Sequence, residues 1–149
     1  LELGLRAVLN DQFSVRGAYT YLETRVLEAG DSGGTSFVTG QPLLRRPEHV
    51  GSFTLNYIYD RLNANLNISI KGHAADVQFN PDFSSQRVRN SGYTRIDLAL
   101  AYRLLENQWG LQSLTLESRV RNLFNEDYEE VFGFSTPGAT VLVGFRAEF

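Results

Sequence analysis

Cysteine and methionine are both absent from this sequence of 149 residues. Without cysteine the chain has no disulfide framework and no thiolate metal site, which fits the cytoplasm, the periplasm and the outer membrane equally. Methionine is missing even at position 1, where an alternating pattern of residues is already under way. We therefore expect this chain to be a piece of a longer protein.

Long apolar runs and a large excess of one charge are also missing. No stretch approaches the roughly 20 consecutive apolar residues of a membrane-spanning helix, and the first residues lack the pattern of a signal peptide. The formal net charge of −3 favours no polyanionic partner. These absences exclude a helical membrane protein and predict that nucleic acid is not a partner.

What the sequence contains instead is alternation of apolar and polar residues. Successive side chains of a β-strand point to opposite faces, so a period of two predicts strands. No helical period is sustained anywhere, and the fold class is therefore predicted to be all-β. Seven strands are predicted, over residues 1–9, 13–27, 48–59, 63–76, 92–104, 112–124 and 138–149.

The predicted connections alternate between short and long. Tight turns are expected at 10–12, 60–62 and 106–110, and long loops at 28–47, 77–91 and 125–137. This alternation is typical of a transmembrane antiparallel up-and-down β-barrel, which has periplasmic turns and extracellular loops. It would place Phe149 on the periplasmic side.

The predicted strands have one apolar and one polar face. In the fourth, Leu66, Ile68 and Ile70 alternate with asparagine and serine, and Tyr57 and Tyr59 of the third lie where an interfacial aromatic girdle is expected. A soluble β-barrel or sandwich would show the same periodicity. Strand length, loop alternation and the terminal phenylalanine favour the membrane. The charged residues predicted on the polar face are Arg6, Arg16, Lys71, Arg95, Asp97, Arg103, Glu117, Arg119, Arg121 and Arg146.

Cross-strand ion pairs are the expected role of these charges, for example Asp97 with Arg119 and Glu117 with Arg146. A role in holding or guiding an inner domain is the alternative.

The last third of the chain carries short motifs in a recognisable order, made of Asn122, Leu123, Phe124, Tyr128, Gly133, Pro137 and Gly138. Together they resemble the C-terminal signature of TonB-dependent outer-membrane receptors, and the Asp127–Phe134 stretch is similar to the vitamin B12 and siderophore receptor branch. Earlier segments, at 18–21 and 44–49, are also similar to the late barrel of that family.

The resemblance implies that residues 1–149 are the C-terminal segment of a 22-stranded barrel and form its last seven strands, while the plug and the first 15 strands are absent here. It further implies active transport of a ferric siderophore or a cobalamin across the Gram-negative outer membrane, which the chain crosses several times. The implied partners are outer-membrane lipid, the protein's own plug domain, TonB through the missing N-terminal part, and the barrel-assembly machinery. That machinery would recognise the final strand through Phe145 and Phe149. No catalytic residue, cofactor or resident metal is implied.

Candidate ligand contacts lie in the predicted long loops. Arginine and aromatic side chains suit ligand capture, although packing at the rim of the barrel is the alternative role. These candidates are Arg45, Arg46, Arg87, Arg89, Phe132 and Phe134.

Three other functions remain open from the residues. A passive porin would lack the plug, and a soluble β-barrel binding protein would bury the apolar face. An outer-membrane hydrolase would need serine and an acid beside His49 or His73, and the sequence shows no such arrangement.

Overall fold

The computed structural model describes residues 1–30 and 34–149, and all regular structure in them is β. The all-β prediction is therefore confirmed. No helix in this described part is long and apolar enough to cross a membrane. The strands are β1 (Glu2–Val8), β2 (Phe13–Tyr21), β3 (His49–Tyr59), β4 (Leu62–Lys71), β5 (Ala74–Phe79), β6 (Ser85–Asn90), β7 (Tyr93–Gln108), β8 (Leu111–Arg121), β9 (Glu129–Val131), β10 (Phe134–Ser135) and β11 (Thr140–Glu148).

Seven of these strands form one antiparallel sheet in the order β1-β2-β3-β4-β7-β8-β11. Each strand pairs with the one before it in that order, so the predicted up-and-down meander is confirmed. The sheet is open in this segment, with β1 and β11 at its edges. The remaining strands form two small hairpins, β5–β6 and β9–β10, within the loops.

The strand register keeps apolar and polar side chains on opposite faces across the whole sheet. An apolar row crosses it through Val15, Leu55, Leu66, Leu98, Val120 and Val141. The next row, on the other face, contains Ser14, Asn56, Asn65, Ala99, Arg119 and Leu142. All ten charged residues predicted on the polar face share the face of this second row.

The short connections lie at one end of the sheet and the long ones at the other. Trp109 and Gly110 both have positive φ, of 54° and 78°, and they form the two-residue turn between β7 and β8. At this end Tyr57 stacks on Tyr59 and also contacts Phe13, with ring centroids 6.4 Å and 4.6 Å apart.

The three long loops comprise residues 22–48, 72–92 and 122–139, and are called the first, second and third long loops below. Residues 31–33 of the first lie outside the described residues.

The observed strands differ from the predicted ones in several places. β7 extends to Gln108, so the turn predicted at 106–110 contains only Trp109 and Gly110, and the loop predicted at 125–137 contains the short β9–β10 hairpin. The strand predicted over 13–27 ends at Tyr21, because the following residues pair within the first long loop. There Thr24 Oγ1 accepts the amide of Leu43, and the amide of Val26 donates to Gln41. The strand predicted over 63–76 is divided, and the loop predicted over 77–91 is the β5–β6 hairpin.

Two glycines explain where this hairpin leaves the sheet. A Cβ at Gly92 would lie 2.6 Å from the carbonyl oxygen of Lys71, and a Cβ at Gly72 would lie 3.2 Å from that of His49. At Gly92 only glycine allows the backbone to cross so closely, whereas at Gly72 a side chain would require the backbone of His49 to shift by a few tenths of an ångström.

Candidate functional site

The buried side chains of the described residues concentrate at the long-loop end of the sheet. The residues that are 9% exposed or less are Val26, Val77, Asp76, Asn122 and Tyr93, the first residue of β7. This end is therefore the most tightly packed part of the described chain, and it is where ligand contacts were predicted.

Asp76, on β5, is completely buried. Its Oδ1 accepts hydrogen bonds from Arg45 Nε at 2.9 Å and from the Val77 amide at 2.8 Å, and its Oδ2 accepts one from the Phe132 amide at 2.8 Å. Burial raises the pKa of the Asp76 carboxyl, but the amides of Phe132 and Val77 and the Arg45 guanidinium outweigh it, so the pKa lies below its ordinary value. The carboxylate is thus ionised at neutral pH and joins all three long loops.

Two of the predicted ligand residues have extensive contacts within the protein. Arg45 bonds to Asp76 and, through its backbone amide, to the Ala75 carbonyl at 2.7 Å. Arg87, on β6, donates to the carbonyls of Thr35, Ser36 and Pro42 in the first long loop. Both arginines therefore hold loops together.

The other four predicted ligand residues also lie on the long loops. Arg46 and Arg89 are exposed, the first beside Arg45 and the second on β6. Phe132 is half-buried, and its amide reaches Asp76, whereas Phe134 on β10 is 72% exposed. The four residues thus lie on the second and third long loops and at the end of the first, and of the four only Phe132 bonds to Asp76 within the described residues.

Asn122 turns the chain out of β8 into the third long loop. It has a positive φ of 52° and is almost fully buried. Its Nδ2 donates to the Glu126 carbonyl and its Oδ1 accepts from the Glu126 amide, each at 2.8 Å. Its own amide donates to Asp97 Oδ1. Leu123 and Phe124 follow it at the exposed start of the loop.

Tyr128 connects this loop to the polar face of the sheet. Its ring stacks on Tyr93 with centroids 3.9 Å apart, and its hydroxyl accepts a hydrogen bond from Arg95. The Tyr93 hydroxyl in turn donates to Glu130 Oε1, which also pairs with Lys71 at 3.3 Å. The Tyr93 hydroxyl, followed by the Lys71 ammonium, lowers the pKa of the Glu130 carboxyl.

The remaining motif residues shape the return of the third long loop to β11. Gly133 has a φ of 80°, and its amide donates to Glu129. Pro137 is exposed, and Gly138 lies so close to Asn125 that a Cβ would be 2.5 Å from its Oδ1. That oxygen also accepts the Ala139 amide, so Gly138 lets Asn125 fix the start of β11.

The polar face below the loops forms a concave wall over β4, β7, β8 and β11. A depression of about 500 Å³ there is floored by Ala99, Ala101 and Gly144 and edged by Arg119. The predicted pair of Glu117 with Arg146 is confirmed, at 2.6 Å.

The predicted pair of Asp97 with Arg119 is wrong. Asp97 pairs with Arg95, two residues away on the same strand, at 3.1 Å, and its other oxygen accepts the Asn122 amide.

Phe145 and Phe149 lie at the short-turn end of the apolar face and are 70% and 84% exposed. The carbonyl of Phe149 accepts a hydrogen bond from Gln112 at 2.8 Å, so the end of the chain is held against β8.

Asp76 is the main residue of this site that sequence reasoning missed. It falls at the end of a predicted strand, and its partners lie 31 and 56 positions away. The available signal was the single acid between Ala74–Ala75 and Val77, which is unusual in an otherwise apolar stretch.

Comparisons with known proteins agree with this geometry. Residues 1–123 match the protein family described as TonB dependent receptor-like, beta-barrel. The fold is similar to that of three solved outer-membrane or transport proteins. The ferripyoverdine receptor of the Pseudomonas aeruginosa outer membrane superposes with a TM-score of 0.74 at 18% identity, over 99% of this chain and 19% of its own. The ferric-catecholate import receptor Fiu of E. coli K12 gives 0.68 at 20% identity, over 97% and 20%. The copper transporter OprC gives 0.66 at 19%, over 99% and 23%. The chain thus spans about a fifth of the length of these structures.

Proposed function

This chain belongs to the TonB-dependent receptor family, and we propose that it is the C-terminal part of a barrel that imports a scarce iron complex into the periplasm. The barrels of this family lie in the outer membrane of Gram-negative bacteria. The apolar face of the sheet is the lipid-facing surface in that setting, and the polar face lines the lumen. The long-loop end then faces outward and the short turns face the periplasm.

The observation that carries the proposal is the family match over residues 1–123, placed on a sheet whose loops gather on one rim. Exposed arginines on this rim, Arg46 and Arg89, suit an oxygen-rich anionic ligand, since guanidinium groups bind such groups through paired hydrogen bonds. Phe134 adds an exposed aromatic surface. A ferric siderophore has this chemistry, and two of the similar solved proteins are named for iron complexes.

The plug domain of the complete receptor would occupy the concave wall. The charged residues of this wall, Glu117, Arg119 and Arg146, offer contacts to a folded domain inside the barrel. TonB would act on that plug through the N-terminal part of the protein, and no bond of the ligand is changed. During assembly, the exposed Phe145 and Phe149 would be recognised by the barrel-assembly machinery.

Uptake by the full-length receptor tests this function. Cells lacking their own receptors would be given radioactive iron as ferric pyoverdine, ferric catecholate or ferric citrate, and labelled cobalamin in parallel. We expect accumulation of one iron complex, and only when TonB is present. Uptake without TonB would instead indicate a passive pore. Uptake of cobalamin alone would show that the substrate is a corrinoid and not an iron complex.

Paired variants test the rim. We expect Arg46→Ala combined with Arg89→Ala to weaken binding of the transported complex by about tenfold or more, as loss of charge-assisted contacts does. Arg61→Ala is the matched control, because Arg61 is an exposed arginine in a turn at the opposite end of the sheet. Equal affinity in both variants would show that Arg46 and Arg89 do not contribute to ligand binding.

A further inference from the structure

We propose that Asp76 locks the three long loops into one rigid unit, so that they open and close together rather than one by one. Any role of this joint motion in uptake rests on the proposed function, but the joining of the loops by Asp76 does not require a ligand.

The first support is how fully the carboxylate is used. It is completely buried, and its two oxygens accept three hydrogen bonds of 2.8 to 2.9 Å. A buried carboxylate that loses a partner keeps its desolvation cost without compensation, so the bonds favour being made together. If one loop moved away alone, the Asp76 carboxylate would remain charged with one of its hydrogen-bond partners missing.

The second support is where the donors come from. Arg45 belongs to the first long loop, Val77 to the second and Phe132 to the third. One side chain therefore joins segments far apart in sequence.

Further hydrogen bonds connect the β5–β6 hairpin to the first and to the third long loop. Toward the first loop, Arg87 donates to three carbonyls and Ser85 Oγ lies 2.7 Å from Thr35 Oγ1. Toward the third loop, Asn90 Nδ2 donates to the Glu129 carbonyl at 3.0 Å. These contacts stiffen the loops on either side of Asp76.

Hydrogen exchange of the full-length receptor, resolved by mass spectrometry, tests the lock. The amides of Arg45, Val77 and Phe132 are each bonded to Asp76 or to the neighbouring Ala75 carbonyl. In the unmodified receptor they should exchange within about a factor of ten of one another, as amides of one opening unit do. Independent loops, with rates spread more widely, would overturn the proposal.

Substitution adds a second readout. In Asp76→Ala we expect exchange at 40–46, 76–79 and 130–134 to speed up together by roughly tenfold to a hundredfold, while the centre of β4 stays protected. Asp82→Ala is the control, since that exposed carboxylate on the same hairpin bonds only to Ser84 among the described residues.

A rise confined to 76–79 in Asp76→Ala would contradict the lock. If that variant does not assemble, the isosteric Asp76→Asn and the unmodified receptor still decide the question. A failed lock leaves the uptake experiment unaffected.

Discussion

Asn122 meets two requirements at one position. Its backbone has the positive φ that asparagine tolerates better than most residues, and its amide side chain satisfies both polar backbone groups of Glu126. Alanine can meet neither requirement, and glycine meets only the first.

We therefore predict a graded loss of stability at this residue. Asn122→Ala should lower the free energy of unfolding of the receptor by about 2–4 kcal/mol, from a strained backbone and two lost hydrogen bonds. Asn122→Gly should lose less, because it removes only the bonds. Urea titration of the folded barrel measures both, and equal losses would show that backbone strain contributes nothing.

The predicted motif residues lie where the chain turns, but their long-range contacts were not foreseen. Motif spacing is local, and it placed Asn122 and Gly133 at positions that have positive φ. The contacts of Asp76 and the stacking of Tyr128 on Tyr93 depend on how separate loops meet in space. A single sequence does not encode those distances in any local pattern.

At the scale of elements, β4 separates the two faces most clearly. Leu66 lies in the middle of the strand, between Leu55 and Leu98 on the apolar face. Asn65, its neighbour, lies on the polar face and bonds to Asn56.

Arginine at these adjacent positions should have unequal effects. Leu66→Arg should destabilise the receptor by about 2–4 kcal/mol, the cost of a charge near the middle of the lipid-facing surface. Asn65→Arg, at nearly the same depth, should cost about 1 kcal/mol, the value of the hydrogen bond it loses. Unfolding in lipid vesicles compares them, and the reverse order would mean that the faces are assigned the wrong way round.

The sheet strands were predictable because each carries its own alternation over many residues. The β5–β6 hairpin was not, although Val77 and Val88 alternate with polar neighbours. Its strands are only six residues each. The first begins inside the strand predicted over 63–76, so Ala74–Asp76 is predicted as part of that longer strand. Only the close crossing at Gly92 separates the two elements.

At the scale of the whole molecule, the open sheet has two edges. β1 and β11 each pair on one side only within the described residues, and nearly all their residues are exposed. Unpaired strand edges bind other strands, and lipid provides no water to satisfy their backbone groups.

Residues 1–149 produced alone should therefore self-associate. In detergent we expect large, heterogeneous particles by light scattering, whereas the full-length receptor should be monodisperse. A monomeric isolated segment would mean that the two edges are closed in some other way.

The β5–β6 hairpin is held close to the sheet at its base, by the close backbone approach at Gly72 and Gly92, and its tip is exposed. Phe83, at the tip, is 98% exposed and has a φ of 64°, and the nearby backbone bonds are confined to Asn80–Ser84. Exposed tips tolerate inserted sequence far better than paired strands do. In the proposed orientation, with the long loops outward, an epitope placed between Asp82 and Phe83 would be displayed to the medium on living cells, and the receptor would become a carrier for foreign peptides.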